Sequence, residues 1–333
     1  MKFVIILCLL FAVIAAAKID PKIFENINSR GTSAILVSFK KSQLAQVRHQ
    51  FDEMHKLSDR TTRLNSFYQT LKEHADQTQS ELLFSLKKLK TFESAETRQL
   101  WISNQLIIRN ASEEIIQLLR DSDQVTNARA DRIIPLLDPF VNKQHRNACD
   151  STSNDGSPWG ISRIEASKVW AKGFRGQGVV VSNVDTGVQY THEALKENYR
   201  AEYGWYDPSG RTAFPKDRDG HGTHTMGTLA GQSKVIGVAP ESTWVACKGC
   251  SGHGCSDLDL LECGQWTTCP TDPSGKNPNC SMAPLVSSNS WGSYYADGFY
   301  DEILEAYEAV GIHAVFSIGN GGPQCQTAGY PGT

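Results

Sequence analysis

No apolar run in this 333-residue sequence reaches the roughly 20 residues that a membrane-spanning helix needs. Neither sign of charge dominates, since the formal net charge is −3. The first absence argues against a helical membrane anchor, and the second against a nucleic-acid binder led by electrostatics. No internal repeat or low-complexity tract is present. The hydrophobic and charged fractions, 40% and 21%, give no sign of wholesale disorder. One further absence is local: residues 18–147 contain no cysteine and a single glycine, Gly31. The rest of the chain is rich in both, and the length suffices for about two domains, so the contrast divides the sequence in two.

The start of the chain reads as a secretory signal over residues 1–17. Lys2 supplies a positive charge, residues 3–14 are apolar, and Ala15-Ala16-Ala17 offers a small-residue cleavage site. The expected location is therefore extracellular, or the lumen of a secretory vesicle, with no membrane partner once the signal is removed. Beyond Cys8, eight cysteines remain: Cys149, Cys247, Cys250, Cys255, Cys263, Cys269, Cys280 and Cys325. An even number in an oxidising compartment favours disulfides. The alternative is zinc, through the C-x2-C spacing of Cys247 and Cys250 with His253 nearby. Asn110-Ala-Ser112 and Asn279-Cys-Ser281 are glycosylation sequons, which make Asn110 and Asn279 candidate acceptors in a secreted chain.

The early region alternates strand-like and helix-like patterns. Residues 35–39 read as a strand and 63–89 as a long amphipathic helix. Residues 100–108 are strand-like, 112–119 helical with Ser112 as cap, and 125–134 a last strand. That order suits a small α+β module of ferredoxin-like type. Residues 150–157 are polar and turn-rich, as in a linker. After them, near-continuous apolar runs at 178–184, 285–290 and 312–318 alternate with helical patterns at 257–266 and 299–310. Strands alternating with helices imply a parallel sheet covered on both faces.

Three patterns stand at the ends of these runs, where parallel sheets place their ligands. Val184-Asp185-Thr186-Gly187 puts an acid at the exit of a buried strand, with Gly187 free to turn the chain away. D-T-G is also the signature of aspartic proteases, but no second D-[TS]-G occurs, so that reading would require a homodimer. Asp219-Gly-His221-Gly-Thr-His224 opens a helix of small residues and presents a histidine able to take and return a proton near neutrality. His224 is expected to be structural, since the glutamate of H-E-x-x-H is missing. Gly319-Asn320-Gly321 leaves an amide at a strand tip, where it could donate to a developing oxyanion.

Together, in this order, the patterns resemble the subtilisin-like serine proteases, close to their bacillopeptidase F-like members. Trp159-Gly-Ile-Ser-Arg-Ile-Glu-Ala166 resembles the start of the mature enzyme, and Tyr330-Pro331 the loop after the oxyanion residue. The resemblance implies an α/β fold, a subtilisin-like parallel sheet with helices on both faces. It implies a preceding α+β ferredoxin-like propeptide at 18–147 that acts as intramolecular inhibitor and folding aid, with the first part of the peptidase domain at 148–333. The implied activity is hydrolysis of peptide bonds in protein substrates. Asp185 would orient His221, His221 would act as base and then acid, and Asn320 would steady the oxyanion. Ser290, Trp291 and Gly292 would form the edge that holds the substrate backbone.

The chain departs from the family pattern in two places. The family's nucleophile lies in a G-T-S-M-A segment beyond the position of Thr333. Gly31-Thr32-Ser33-Ala34 does not replace it, because it precedes the acid and leads into a strand. Hydrolysis by this polypeptide alone is therefore not expected, and a catalytically inactive product that binds peptides or inhibits is the alternative. The segment that supplies a calcium ligand in many relatives reads His192-Glu193-Ala194-Leu195, without the acid, so no metal site and no cofactor is assigned.

Overall fold

A computed structural model of the chain describes residues 18–40, 42–55, 59–136, 158–232, 236–294 and 297–333. The signal-like residues 1–17, the linker-like residues 150–157 and Cys149 lie outside the described residues, as does the expected boundary at 147. Contacts divide the chain into two units, Met1–Arg132 and Ile133–Thr333.

In the first unit, four antiparallel strands lie in the order β2-β3-β1-β4: β1 (Ser33–Phe39), β2 (Glu96–Leu100), β3 (Gln105–Ala111) and β4 (Val125–Ala130). Helices α1 (Pro21–Arg30), α2 (Ser42–His55), α3 (Arg60–Leu86) and α4 (Glu113–Asp121) complete it. Along α3 the buried residues Leu64, Phe67, Leu71, Ala75, Leu82 and Leu86 recur at helical spacing on one stripe. Asp59 caps this helix by accepting from the Thr62 amide at 3.1 Å, and Ser112 caps α4 through the Ile115 amide at 3.4 Å. Two runs that read as single strands in the sequence are each divided. The run at 100–108 contains a tight, buried corner, Trp101 to Asn104, at which the chain turns back from β2 into β3. The run at 125–134 breaks after Ala130, so that Ile133–Ile134 (β5) pairs elsewhere.

In the second unit the helices are α5 (Trp159–Arg163), α6 (Ala166–Trp170), α7 (His221–Ala230), α8 (Asp257–Thr268) and α9 (Asp301–Val310). A five-stranded parallel sheet runs in the order β12-β11-β6-β8-β7. Its strands are β6 (Val180–Asp185), β7 (Trp205–Tyr206), β8 (Thr243–Lys248), β11 (Val286–Asn289) and β12 (His313–Phe316). Alternate residues of β8 show how the helices cover it. Trp244 and Ala246 pack in one cluster with Met226 and Ala230 of α7, while Cys247 is bonded to Cys263 of α8. Successive strand residues point to opposite faces, so α7 and α8 lie on opposite faces of the sheet. Cover on both sides explains why the inner strand β6 is buried from Val181 to Asp185. The outermost strand β12 is different: His313, Ala314 and Val315 are all exposed. A small antiparallel sheet, β5-β10-β9, adds Cys250–Ser251 (β9) and Gly254–Ser256 (β10).

Candidate active site

The register of the parallel sheet brings three of the sequence-predicted segments to one edge. Val184 of β6 stands beside Asn289 of β11, and Asn289 beside Phe316 of β12. Asp185, the stretch Ser290-Trp291-Gly292 and the loop that carries Asn320 therefore all leave the sheet at its carboxyl end. In parallel sheets this is where backbone turns away and ligands bind.

Asp185 is the last residue of β6 and only 1% exposed. Its Oδ1 accepts from the Thr186 amide at 2.7 Å, and its Oδ2 from the Thr225 hydroxyl at 3.2 Å. His221, the first residue of α7, brings Nδ1 to 2.7 Å from Asp185 Oδ1. A carboxylate oxygen can only accept, so Nδ1 carries the proton, and Nε2 of the neutral ring keeps its lone pair for another donor. The side chain of His221 is 16% exposed. The hydrogen bond to Asp185 raises the imidazole pKa above its ordinary value. Burial opposes this, and the charges of Asp185, Asp219 and Asp217 add to the rise.

Helix α7 can approach Asp185 this closely because residue 222 is glycine. A Cβ there would stand 2.1 Å from the Gly187 carbonyl oxygen and 3.1 Å from the Asp185 Cβ. Gly187 itself turns at φ +103°. The Asn183 amide locks the same junction by donating to the Gly222 carbonyl at 3.1 Å and to the Thr225 hydroxyl at 3.0 Å.

Asp217 is a part of the site that the sequence reading missed. Its Oδ1 accepts from the Thr186 hydroxyl at 3.0 Å and from the amides of Asp219 and Gly220 at 3.0 and 2.9 Å. Its Oδ2 accepts from the amide and hydroxyl of Thr223 at 2.9 and 2.6 Å. Thr186 in turn accepts from the Gly222 amide at 2.8 Å. One carboxylate thus gathers the loop that delivers His221 and ties it to the D-T-G turn. Burial alone would raise the Asp217 pKa, but the bonds from Gly220, Thr223 and Asp219 outweigh it and hold the carboxyl below its ordinary range. The sequence signal was an acid two residues ahead of Asp219, on no apolar period and in no recognised spacing.

The other candidates fall in different surroundings. Asn320 is exposed beyond the end of β12. Ser290 and Gly292 continue the line of β11, but the indole of Trp291 is turned inwards, edge-on to Tyr300 and Phe316 at 5.1 and 5.2 Å between ring centres. Any contact of this stretch with a ligand therefore falls to its backbone and to Ser290. His224, expected to be structural, is exposed, and its ring has no hydrogen-bond partner among the described residues. Asn110 is exposed at the end of β3, whereas the Asn279 side chain accepts from the Ser281 hydroxyl at 2.6 Å.

Six cysteines form three disulfides, Cys247–Cys263, Cys250–Cys255 and Cys269–Cys280. Cys247 and Cys250 thus enter separate bonds rather than one metal site. Cys325 is exposed and unbonded among the described residues. Ala194 is buried and brings no side-chain oxygen, and among the described residues no three His, Cys, Asp or Glu side chains converge on one point.

Comparison with known proteins gives a family match and several relatives. A model of the subtilase family matches residues 176–333. Bacillopeptidase F of Bacillus subtilis (strain 168) is 32% identical over 353 aligned positions, covering 92% of this chain and 24% of that protein. The minor extracellular protease Vpr of the same organism is 30% identical over 197 positions, 56% of this chain and 23% of that one. Subtilisin DY of Bacillus licheniformis is 31% identical over 180 positions, 52% of this chain and 60% of that one. The chain spans about a quarter of the length of the first two relatives.

Proposed function

The chain belongs to the subtilase family through residues 176–333, and from that membership we propose that it is part of a secreted serine endopeptidase precursor that hydrolyses peptide bonds in proteins. The observation that carries the proposal is the 2.7 Å bond between His221 Nδ1 and the buried Asp185 carboxylate at the carboxyl edge of the sheet. Asp185 fixes the tautomer and favours the imidazolium. His221 Nε2 takes the proton of a serine hydroxyl as that oxygen attacks the substrate carbonyl, then returns it to the leaving amine. The Asn320 amide, in the loop beyond β12, donates to the carbonyl oxygen as it becomes negative. Among the described residues no serine hydroxyl is hydrogen-bonded to His221, and the nucleophile is proposed to lie outside these 333 residues.

Substrate is held as an added strand, which is peptide recognition by β-augmentation. The pairing of β5 with β10 supports this. Ile134 faces Cys255 and Ile133 faces Ser256 in antiparallel register, so within the second unit an extended segment of the chain pairs with the edge of β10. We take this pairing as support for the role of intramolecular inhibitor proposed for residues 18–147. Secretion is supported by the signal-like residues 1–17 and by three disulfides. No described helix is long and apolar enough to cross a membrane.

Fluorophosphonate labelling tests the proposal on two chains: the 333-residue chain, and one extended by the reading frame that follows codon 333 in the transcript. A single labelled serine in the extended chain, lost in His221→Ala, is expected. Labelling of the 333-residue chain at a serine of its own, unaffected by His221→Ala, would overturn it, as would a stop codon directly after Thr333.

A further inference from the structure

Strands β9 and β10 form a hairpin that turns on Gly252 and His253. Within it Cys250 and Cys255 stand directly opposite one another, joined by their disulfide. Cys255 is also the residue that faces Ile134 across the other side of β10. One buried residue therefore belongs both to the crosslink and to the edge that receives β5.

Strands of two and three residues are too short to hold a register by hydrogen bonding alone. Register matters here because a slip of one residue exchanges the two faces of the paired segment. Ile134 is 7% exposed and Ile133 57%, so a slip would bury one and expose the other. The edge is also shaped for close approach. Gly254 sits at φ +117°, and a Cβ on it would stand 2.6 Å from the Ile134 carbonyl oxygen and 2.7 Å from Ile133 Cγ2. No other residue type leaves room for β5 at that distance. The remaining disulfides hold other parts of the unit. Cys247–Cys263 joins β8 to α8, and Cys269–Cys280 closes the loop after α8, so neither includes a residue of β10.

We infer that the Cys250–Cys255 disulfide is a positioning device for this edge. It keeps Gly254 and Cys255 in the register that accepts an extended apolar segment, and opening it releases the segment while the parallel sheet stands. The inference rests on the reading of β10 as a peptide-receiving edge.

Hydrogen exchange on the 333-residue chain tests it, with the variants C250S/C255S, C269S/C280S and G254A beside the parent. Closing so small a loop restricts the unlinked chain by a factor on the order of 10–50. Protection at 133–134 and 254–256 is therefore expected to fall at least tenfold in C250S/C255S, with β6 and β8 unchanged, while C269S/C280S keeps the edge protected. Parental edge protection in C250S/C255S overturns the inference. Loss of protection across β6 in that variant overturns it too, because the crosslink is then a requirement of the sheet. G254A separates the inference from the reading beneath it. If G254A leaves 133–134 protected, the peptide-receiving reading itself fails. If G254A releases the segment and C250S/C255S does not, the reading stands and the crosslink has no part in it.

Discussion

Replacing Asp217 by Asn is the sharpest probe of how His221 is held. The amide keeps one oxygen, enough for the three donors at Oδ1, the Thr186 hydroxyl and the Asp219 and Gly220 amides. At Oδ2 it places an NH2 group against the Thr223 amide and hydroxyl. The hydroxyl can rotate to accept, but the backbone amide cannot, so one donor in the first turn of α7 is orphaned. That costs about 1–3 kcal/mol, or roughly 3–10 °C in melting temperature for a unit of this size. The sign with pH follows from the lowered pKa of Asp217. Its contribution is present above the ordinary value of 3.8 and is lost as pH falls through the folded value. Parent and D217N should differ fully at pH 7 and converge as the pH is lowered through 3.8 and below. Urea unfolding followed by tryptophan fluorescence is the assay, because all the tryptophans except Trp101 lie in the second unit. Equal stability at pH 7, or a gap that persists unchanged at low pH, refutes the assignment of Asp217 as the organiser of the loop.

Asp185→Asn removes the partner that raises the His221 pKa, so the ring should titrate at lower pH when followed by NMR; an unchanged midpoint would show that the 2.7 Å contact does not govern its ionisation. The raised histidine contributes stability that is fully present below 6.5 and lost as pH rises through the folded value, so D185N should be more destabilising at pH 5.5 than at pH 9. The pH-dependent part should be about 1.5–3 kcal/mol, the range for a hydrogen bond to a charged group. Gly222→Ala should destabilise by about 1–3 kcal/mol through overpacking against the Gly187 carbonyl. A gain of about 1 kcal/mol, the usual helix-propensity effect, would mean that α7 does not press on the D-T-G turn.

The apolar periods were legible in the sequence because they record burial directly. The stripe along α3 and the run at β6 both follow from how many sides of an element meet a core. Strand β8 was not anticipated although it lies beside β6 at the centre of the sheet. Only Trp244, Val245, Ala246 and Cys247 are apolar in it, between Thr243 and Lys248, and so short a run carries no period. The pair Asp185 and His221 could be read because chemistry limits which residue types serve at a strand exit and a helix start. Asp217 could not, because its partners are largely backbone amides, which every residue possesses. The same holds for the cysteines: their number indicates crosslinking, but the pairing of Cys250 with Cys255 depends on a turn at Gly252 and His253 that leaves both in one hairpin. Trp291 shows the converse limit. Its place in a substrate-like segment is visible in the sequence, but the side to which its indole turns is decided by Tyr300 and Phe316.

The exposure of β12 has a practical side. Val315 on the border strand, at 55%, and Ile318 just past its end, at 60%, present branched apolar side chains to water. Such a border is a template for strands of neighbouring molecules. The yield of this polypeptide from an expression host will therefore depend on how crowded it is while it refolds. Dilution, a charged fusion partner or co-production of a segment that pairs with β12 will govern recovery more than any change made at His221.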